Sequence, residues 1–383
     1  MAGAVTADLA AGLFERVRAS IDGSRLQREE GSWSCVERYT DTARHDAELA
    51  LLRRYPVPVA ASSEMPAAGD WLACSVHGVP ALLVRQQDGS LRAFINVCRH
   101  RGAQLAPEGT GGSGRERFVC PYHSWTYATD GRCVGRPHDA DFPHAPKDAA
   151  SLVPLACTER FGLVWVVATP AHGFGWDAYF GALGPELEEL GFTAATTAPL
   201  QRRFEQPSNW KLVLDANLES YHFAYAHRET IADLFHDNLV VHDRVDDHQR
   251  ILLPKQSFRD LQGPPATLEG FARHANIIYY LFPATFLLWE GDHINGFALS
   301  PLRASAADVK AWLLVPPHRE KQRDAGYWKR NYEMFWEALD EDFALAASMQ
   351  KGLASGANRA LCFGRNEFAC RVFHESLEKQ LSN

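Results

Sequence analysis

Six side chains able to bind metal stand at telling intervals. The chain reads NVCRHRGAQLAPEG and then FVCPYHSWTY, which gives Cys98-x-His100, 19 intervening residues and Cys120-x-x-His123. Two loops that each carry one thiol and one imidazole can serve a single site. Two chemistries compete for it. A structural zinc ion takes two Cys and two His in one tetrahedron. A two-iron, two-sulfur cluster takes two Cys on one iron and two His on the other. One Cys and one His per loop favours the cluster. So do Gly102 and Pro121, small and rigid residues that let loop backbone approach inorganic sulfur, and Trp125 and Tyr127, which can shield it. The second set is His222 and His227, within NWKLVLDANLESYHFAYAHRETIADLF. Five residues span about 140° on an ideal helix. The helix must therefore distort, as a π-type turn does, for both rings to face one ion. A carboxylate from elsewhere would complete a 2-His-1-carboxylate site, which binds ferrous iron and leaves positions open.

Positioning these residues requires two kinds of element. Residues 54–170 are short β-rich runs such as WLACSV, ALLVRQ and GLVWVVA, punctuated by turn signals at Gln87–Ser90 and Asp130-Gly131. Within them, Gly109–Gly114 reads as a flexible loop. Outside them the periodicity is helical. Residues 6–21 place Leu9, Leu13, Val17 and Ile21 at four-residue spacing. Trp210–Phe235 has no Gly or Pro and reads as one long helix. Lys321–Leu353 repeats Trp328, Tyr332, Phe335, Trp336, Leu339 and Phe343, and Glu367–Leu381 closes the chain as a helix. Residues 275–300 and 308–315 read as strands. The expected class is α+β. An all-β domain (51–170) is inserted in a larger catalytic domain with an antiparallel sheet surrounded by helices; residues 1–50 supply its helical start and 171–383 the remainder.

Composition narrows the function. The 383 residues hold 39 Lys+Arg against 47 Asp+Glu, a net charge of −8. That balance is against a nucleic-acid binder or a polybasic membrane-surface protein. The longest apolar run, Ile277 to Trp289, is too short to span a bilayer. The N-terminus has no basic-then-apolar pattern, so an unexported, cytoplasmic protein is expected. Eight cysteines are too few for a disulfide scaffold. Cys35, Cys74, Cys133, Cys157, Cys362 and Cys370 lack ligand spacing and read as buried structural thiols.

The first constellation resembles the Rieske signature, CxHRGxxL followed by CPYHxWxY, at nearly every position. The whole chain resembles the α-subunit of the Rieske non-haem iron oxygenases. That family's pattern of NWK, an acidic residue, YH and a second His five residues on is met by Asn209-Trp210-Lys211, Glu219, Tyr221-His222 and His227. The resemblance implies a Rieske 2Fe–2S cluster on Cys98, His100, Cys120 and His123, and a mononuclear Fe(II) on His222, His227 and Asp342. Asp342 is chosen over Asp340 and Glu341 because Glu341-Asp342 precedes Gln350-Lys351-Gly352-Leu353, as the family's third ligand does. It implies further that Glu219 bridges the mononuclear-iron His222 of one subunit and a cluster His of the next. Most ring-dihydroxylating members carry Asp there; Glu is found in the branch resembling carnitine and related quaternary-amine monooxygenases. Asp215-Ala216 depart from the family's common Glu-Asn pair.

The implied function is a terminal oxygenase that activates O₂ and hydroxylates, dihydroxylates or demethylates a small aromatic or quaternary-amine-like molecule. Electrons come from a separate reductase or ferredoxin, since no dinucleotide fingerprint is present. A homotrimer ring is expected, with one subunit's cluster beside its neighbour's iron. The alternatives are a Rieske electron-transfer protein without oxygenase activity and a zinc-stabilised structural protein. Pocket candidates are Phe223, Tyr225 and Leu234 on the ligand segment, and Tyr279, Phe282, Phe286, Leu288, Trp289, Asn295 and Phe297 in the strand region. That strand region has Glu290 and Asp292 but no Lys or Arg, which favours a neutral or cationic substrate held against Trp or Tyr.

Overall fold

The computed structural model describes residues 2–23, 30–171 and 173–383. The chain forms two compact units. One comprises residues up to Leu52, Phe180–Phe192 and Ala198–Asn383, and the other Arg53–Tyr179 with Thr193–Thr197.

The second unit is built on strands β1 (Pro56–Ala61), β2 (Trp71–Val76), β3 (Val79–Arg85), β4 (Leu91–Ile95), β5 (Gly111–Gly112), β6 (Arg117–Val119), β7 (Thr126–Ala128), β8 (Cys133–Gly135), β9 (Pro154–Arg160) and β10 (Leu163–Pro170). Seven make one sheet in the order β1-β10-β9-β4-β3-β2-β5; β6-β7-β8 make another. Gly89, with φ at 82°, closes the β3–β4 hairpin that Gln87–Ser90 signals. Trp71, Leu82, Phe94, Phe118 and Tyr127 pack into one core that also takes in Cys98 and Cys120, so the ligand loops rest on the unit's most rigid part. The glycine-rich stretch is not a free loop. Gly111 and Gly112 pair with Leu72 and Trp71. A Cβ on Gly111 would lie 2.8 Å from the Trp71 carbonyl oxygen. Its composition therefore reflects close strand approach rather than slack.

The first unit contains α1 (Ala2–Ile21), α2 (Thr42–Leu52), α3 (Trp210–Asn217), α4 (Phe223–Ala226), α5 (Ala325–Ala354) and α6 (Phe368–Leu381). Its sheet uses β11 (Thr197–Gln206), β12 (Val241–Val245), β13 (His248–Pro254), β14 (Ala275–Leu281), β15 (Thr285–Trp289), β16 (Ile294–Arg303) and β17 (Ala306–Val315), in the order β11-β17-β16-β15-β14-β13-β12. From β12 to β17 it is an antiparallel meander. Every residue of β14 and β15 is buried, which accounts for the unbroken apolar run there: it is a hairpin covered on both faces. The class is α+β, an all-β domain with a catalytic domain of mixed helix and sheet.

Several expectations need correction. Trp210–Phe235 is not one helix: α3 ends at Asn217, α4 is a single turn, and a 3₁₀ turn follows at Ala232–Leu234. The break has a local cause. Glu219 folds back to accept the backbone N–H groups of Tyr221 and His222, a competing arrangement that propensity does not register. The long C-terminal helix starts at Ala325, where the Asp324 carboxylate accepts the Tyr327 N–H at 2.7 Å. On α1 the fully buried face is Ala10, Leu13, Phe14 and Val17, leaving Leu9 and Ile21 only partly covered. Cys35 and Cys362 are exposed, not buried; they sit on the short strand pair Ser32–Cys35 and Ala360–Phe363. Among the described residues no helix is long and apolar enough to cross a membrane.

Candidate metal centres

The two loops of the first constellation share one conformation. The Cys98 N–H donates to the Ala103 carbonyl and the Cys120 N–H to the Trp125 carbonyl, both at 2.8 Å. Gly102 and Ser124 then return N–H bonds to the Cys98 and Cys120 carbonyls, both at 3.0 Å. The residue four past each cysteine is left-handed, Gly102 at φ 78° and Ser124 at φ 57°. This twinned turn sinks both thiols, each 2% exposed, and leaves His100 and His123 half-buried at the rim. The two imidazole Nδ1 atoms face each other at 3.1 Å. Trp125 stacks on His100 at 4.9 Å and 6°. The Tyr127 hydroxyl accepts the Arg99 N–H at 3.0 Å and touches the Cys98 sulfur at 3.3 Å. Burial pushes the Cys98 thiol up, and its neighbour Cys120 adds to the shift. A thiol shifted in this way becomes thiolate beside strong positive charge. Buried thiols within and imidazoles at the rim fit a cluster with split ligation.

In the other unit His222 and His227 stand at the two ends of the single-turn α4, as its N-cap and C-cap. No π-type turn lies between them. One α-turn with both flanks unwound turns the rings to the same side, and their Nε2 atoms lie 3.0 Å apart. Asp342 of α5 brings Oδ1 to 3.3 and 3.2 Å from those nitrogens. No N–H is aimed along either approach, so this buried oxygen has no hydrogen bond. The far side of each ring explains why. His222 Nδ1 bonds the Glu219 carboxylate, and His227 Nδ1 bonds Glu341 at 2.6 Å. Both Nδ1 atoms therefore carry the proton, and both Nε2 atoms present lone pairs. Three lone pairs converging at these separations repel one another unless a cation lies between them. Roughly 3.0 Å is also the spacing of two ligands at right angles when each bond is about 2.1 Å. Burial disfavours charge on His222, but Asp342 and Glu219 prevail and its pKa is pushed up to about 10. Burial likewise opposes ionisation of Asp342, and the two histidines overcome it.

Asp340, by contrast, is exposed and paired with Arg202 at 2.9 Å. Glu341 faces the site but spends its carboxylate on His227 and on the Thr230 hydroxyl at 2.9 Å. Sequence reasoning set Glu341 aside as a mistaken ligand and so missed it as a ligand's partner. Its place beside Asp342 was the available signal.

The NWK and QxGL segments fix the two helices to each other. The Asn209 side chain accepts the Lys211 N–H at 3.0 Å, capping α3, and donates to the carbonyls of Tyr39 and Ala304. The Asn209 N–H in turn donates to Gln350 of α5 at 2.7 Å. Trp210 and Lys211 both donate to the buried Glu48 carboxylate of α2. Asp215 is also structural: it accepts from the Tyr39 hydroxyl at 2.7 Å and meets His374 Nε2 at 2.9 Å.

A cavity of about 120 Å³ opens beside His227 and Asp342. Of the expected pocket residues, Phe223, Leu234, Phe286 and Leu288 line it. Tyr225 points to solvent, and Tyr279 is buried on Glu186. Four phenylalanines, Phe223, Phe235, Phe286 and Phe335, form its carbocyclic rings, with no Trp or Tyr among the described lining residues. Lys255, just after β13, also lines the cavity. The lack of Lys and Arg holds for residues 277–300 alone, and does not extend to the pocket.

Residues 55–149 match the Rieske [2Fe-2S] domain, and residues 193–383 match the ring hydroxylating alpha subunit (catalytic domain). The carnitine monooxygenase oxygenase subunit of Escherichia coli (strain K12) is 30% identical over 349 residues, 86% of each chain. The glycine betaine monooxygenase oxygenase subunit of Chromohalobacter salexigens is 28% identical over 347 residues, 78% of this chain and 74% of that one. Among solved structures, a quaternary ammonium Rieske monooxygenase in complex with L-carnitine superposes with a TM-score of 0.75 at 22% identity, over 92% of this chain and 97% of that one. Naphthalene 1,2-dioxygenase from Rhodococcus sp. gives 0.74 at 18% identity, over 98% of both. With a Rieske cluster domain and a mononuclear-iron catalytic domain on one polypeptide, the chain belongs to the Rieske non-haem iron oxygenases, as the α-subunit of a terminal oxygenase.

Proposed function

We propose that His222, His227 and Asp342 hold the mononuclear iron, that Cys98, His100, Cys120 and His123 hold the 2Fe–2S cluster, and that this oxygenase acts on a small quaternary-amine-bearing molecule. The observation that carries the metal assignment is the convergence of two Nε2 lone pairs and the unbonded Asp342 oxygen. The substrate class rests on the full-length likeness to carnitine and glycine betaine oxygenase subunits and on a Glu, not Asp, at position 219.

The bound iron supplies O₂ activation, and the cluster supplies electrons received from a separate donor protein. The polypeptide does the rest. Glu219 and Glu341 keep the Nδ1 protons of His222 and His227 in place, which turns Nε2 of each ring toward the ion. Phe223, Phe286 and Phe335 exclude water and hold the substrate's apolar body. Glu219 has a second task in this reading: its carboxylate receives an N–H from His100 or His123 of a neighbouring subunit in a trimeric ring, which links cluster to iron. Inter-subunit electron transfer is stated for a solved quaternary ammonium Rieske monooxygenase.

Metal analysis and visible spectra test the ligand sets. Purified protein should hold about three irons per chain and show a Rieske spectrum. Asp342→Ala should fall toward two irons and keep the spectrum, whereas Cys98→Ala or His123→Ala should lose it. Full iron in Asp342→Ala with depletion in Glu341→Ala would move the third ligand by one residue.

A further inference from the structure

Two lysines of the catalytic unit, the buried Lys211 and the half-buried Lys255, have opposite surroundings. Lys211 is neutralised by Glu48, a residue with no exposed surface. For the Lys255 ammonium the described residues offer one bond, a long one of 3.5 Å to the Ala272 carbonyl. Burial pushes its pKa down, and Glu290 and Asp292 only partly offset that. Its backbone is nevertheless firmly placed, bridged to Phe235 and donating to the His274 carbonyl at 2.8 Å. A fixed, under-bonded ammonium on a pocket wall has donors to spare.

The residues around it narrow what they meet. Asn276, in register with Leu253 two residues before Lys255, also lines the cavity, and its buried Oδ1 has no partner. Glu290 lies just past the Ile277–Trp289 pair on the same row. Its charge is already answered: Asn295 donates to it at 3.0 Å, and His293 stands 3.6 Å away, wedged between Glu290 and Asp292. The unmet donors here are those of the Lys255 ammonium, while the Asn276 Oδ1 is an unmet acceptor.

The cavity runs along α5 from Met334 to Asp342, about two turns or roughly 12 Å at 1.5 Å per residue. Between them the wall is apolar, with Ile278, Leu288, Phe335 and Leu339.

We infer that Lys255 forms a subsite for a carboxylate of the substrate. The subsite rests on the function proposed above and narrows it: the quaternary-amine-bearing substrate also carries a carboxylate, as a zwitterion, and is not a simple amine. One ammonium matches one negative charge, and Glu290 nearby disfavours a dianion such as phosphate. The methylene stem of Lys255 can lie along the apolar wall.

Equilibrium binding to the oxidised, fully metallated protein tests this without turnover. The probes are straight-chain and phenyl-substituted carboxylates of four to eight carbons, their primary amides, and γ-butyrobetaine with its amide. Wild type should bind acids more tightly than the matched amides. Lys255→Met should remove that preference, a loss of about 10- to 100-fold for one charge-assisted hydrogen bond, and Lys255→Arg should retain most of it. A gain for γ-butyrobetaine over plain acids supports the zwitterion, and equal binding overturns it. If amides bind as well as acids, if no acid in the series binds, or if Lys255→Met leaves the preference intact, the subsite is wrong. Iron content read on the same samples separates the two readings. About three irons per chain with no acid preference overturns the subsite alone, and about two overturns the metal assignment.

Discussion

His227 is held at Nδ1 by Glu341, and that contact, outside the proposed ligand set, is open to a simple experiment. Removing the acceptor at Nδ1 frees the ring to rotate and to change tautomer. Glu341→Ala should weaken mononuclear iron binding about 10- to 100-fold, measured by chelator competition, with the Rieske spectrum unchanged. Glu341→Gln should lose much less, since an amide oxygen still accepts the Nδ1 proton. Equal affinities for wild type and Glu341→Ala would remove Glu341 from the site. In the cluster loops the informative residue is Ser124, which adopts in left-handed backbone what Gly102 adopts freely. Ser124→Gly should raise stability by about 1 kcal/mol in chemical denaturation and keep the cluster. Gly102→Val should cost stability and colour together. The Cys/His set proposed for the cluster stands out in sequence because identity and spacing are themselves the chemistry. The Ser124 conformation does not, because a non-glycine residue at positive φ leaves no mark in sequence.

Among the elements, α3 depends on a partner far away in the chain. Glu48 of α2 takes hydrogen bonds from Trp210 and Lys211 and a 2.7 Å bond from Arg44. Glu48→Ala leaves the Lys211 ammonium buried and unpaired, so denaturant unfolding should show a loss of about 3–5 kcal/mol. A loss below 1 kcal/mol would mean that water reaches Lys211. The strands β14 to β17 and helices α5 and α6 could be read from the chain because long apolar periodicity is set by burial alone. The segment after α3 could not. Its composition favours helix throughout, and propensity does not register the local bonds at the break, where Glu219 accepts from the Tyr221 and His222 N–H groups. Lys255 escaped notice for a related reason. It lies just past the end of a strand, and only the sheet's register carries it into the cavity beside Asn276.

At the scale of the molecule, one charge cluster sets an alkaline limit on stability. Burial opposes charge on His293, but Asp292 and Glu290 outweigh it and hold its pKa up to about 9. A raised histidine stabilises fully below its unfolded value of about 6.5, and the contribution is lost as pH rises through 9. The metallated protein should therefore lose stability between those limits, and His293→Gln should flatten that limb. Matching slopes for the two proteins in denaturant titrations at pH 6, 7.5 and 9 would count against the assignment. The ring itself is tested through Glu219. Glu219→Gln should keep trimer and metals and slow oxidation of the pre-reduced cluster in a single turnover with O₂ and substrate. A fully active monomer, or an unchanged rate, would mean that electrons take another route.

The tie from Gln350 to Asn209 bears on time as well as place. In the proposed site two ligands come from the segment that follows α3 and the third from α5, so the ion would be enclosed by chain segments far apart in sequence. Iron held in this way leaves at the rate at which α5 parts from α3. Its loss should then carry the steep temperature dependence of local unfolding, rising about three- to six-fold per 10 °C. Gln350→Leu should hasten that release more than it weakens equilibrium affinity. Shelf life in the absence of substrate is thus written into the docking of two helices, and not only into the strength of three bonds.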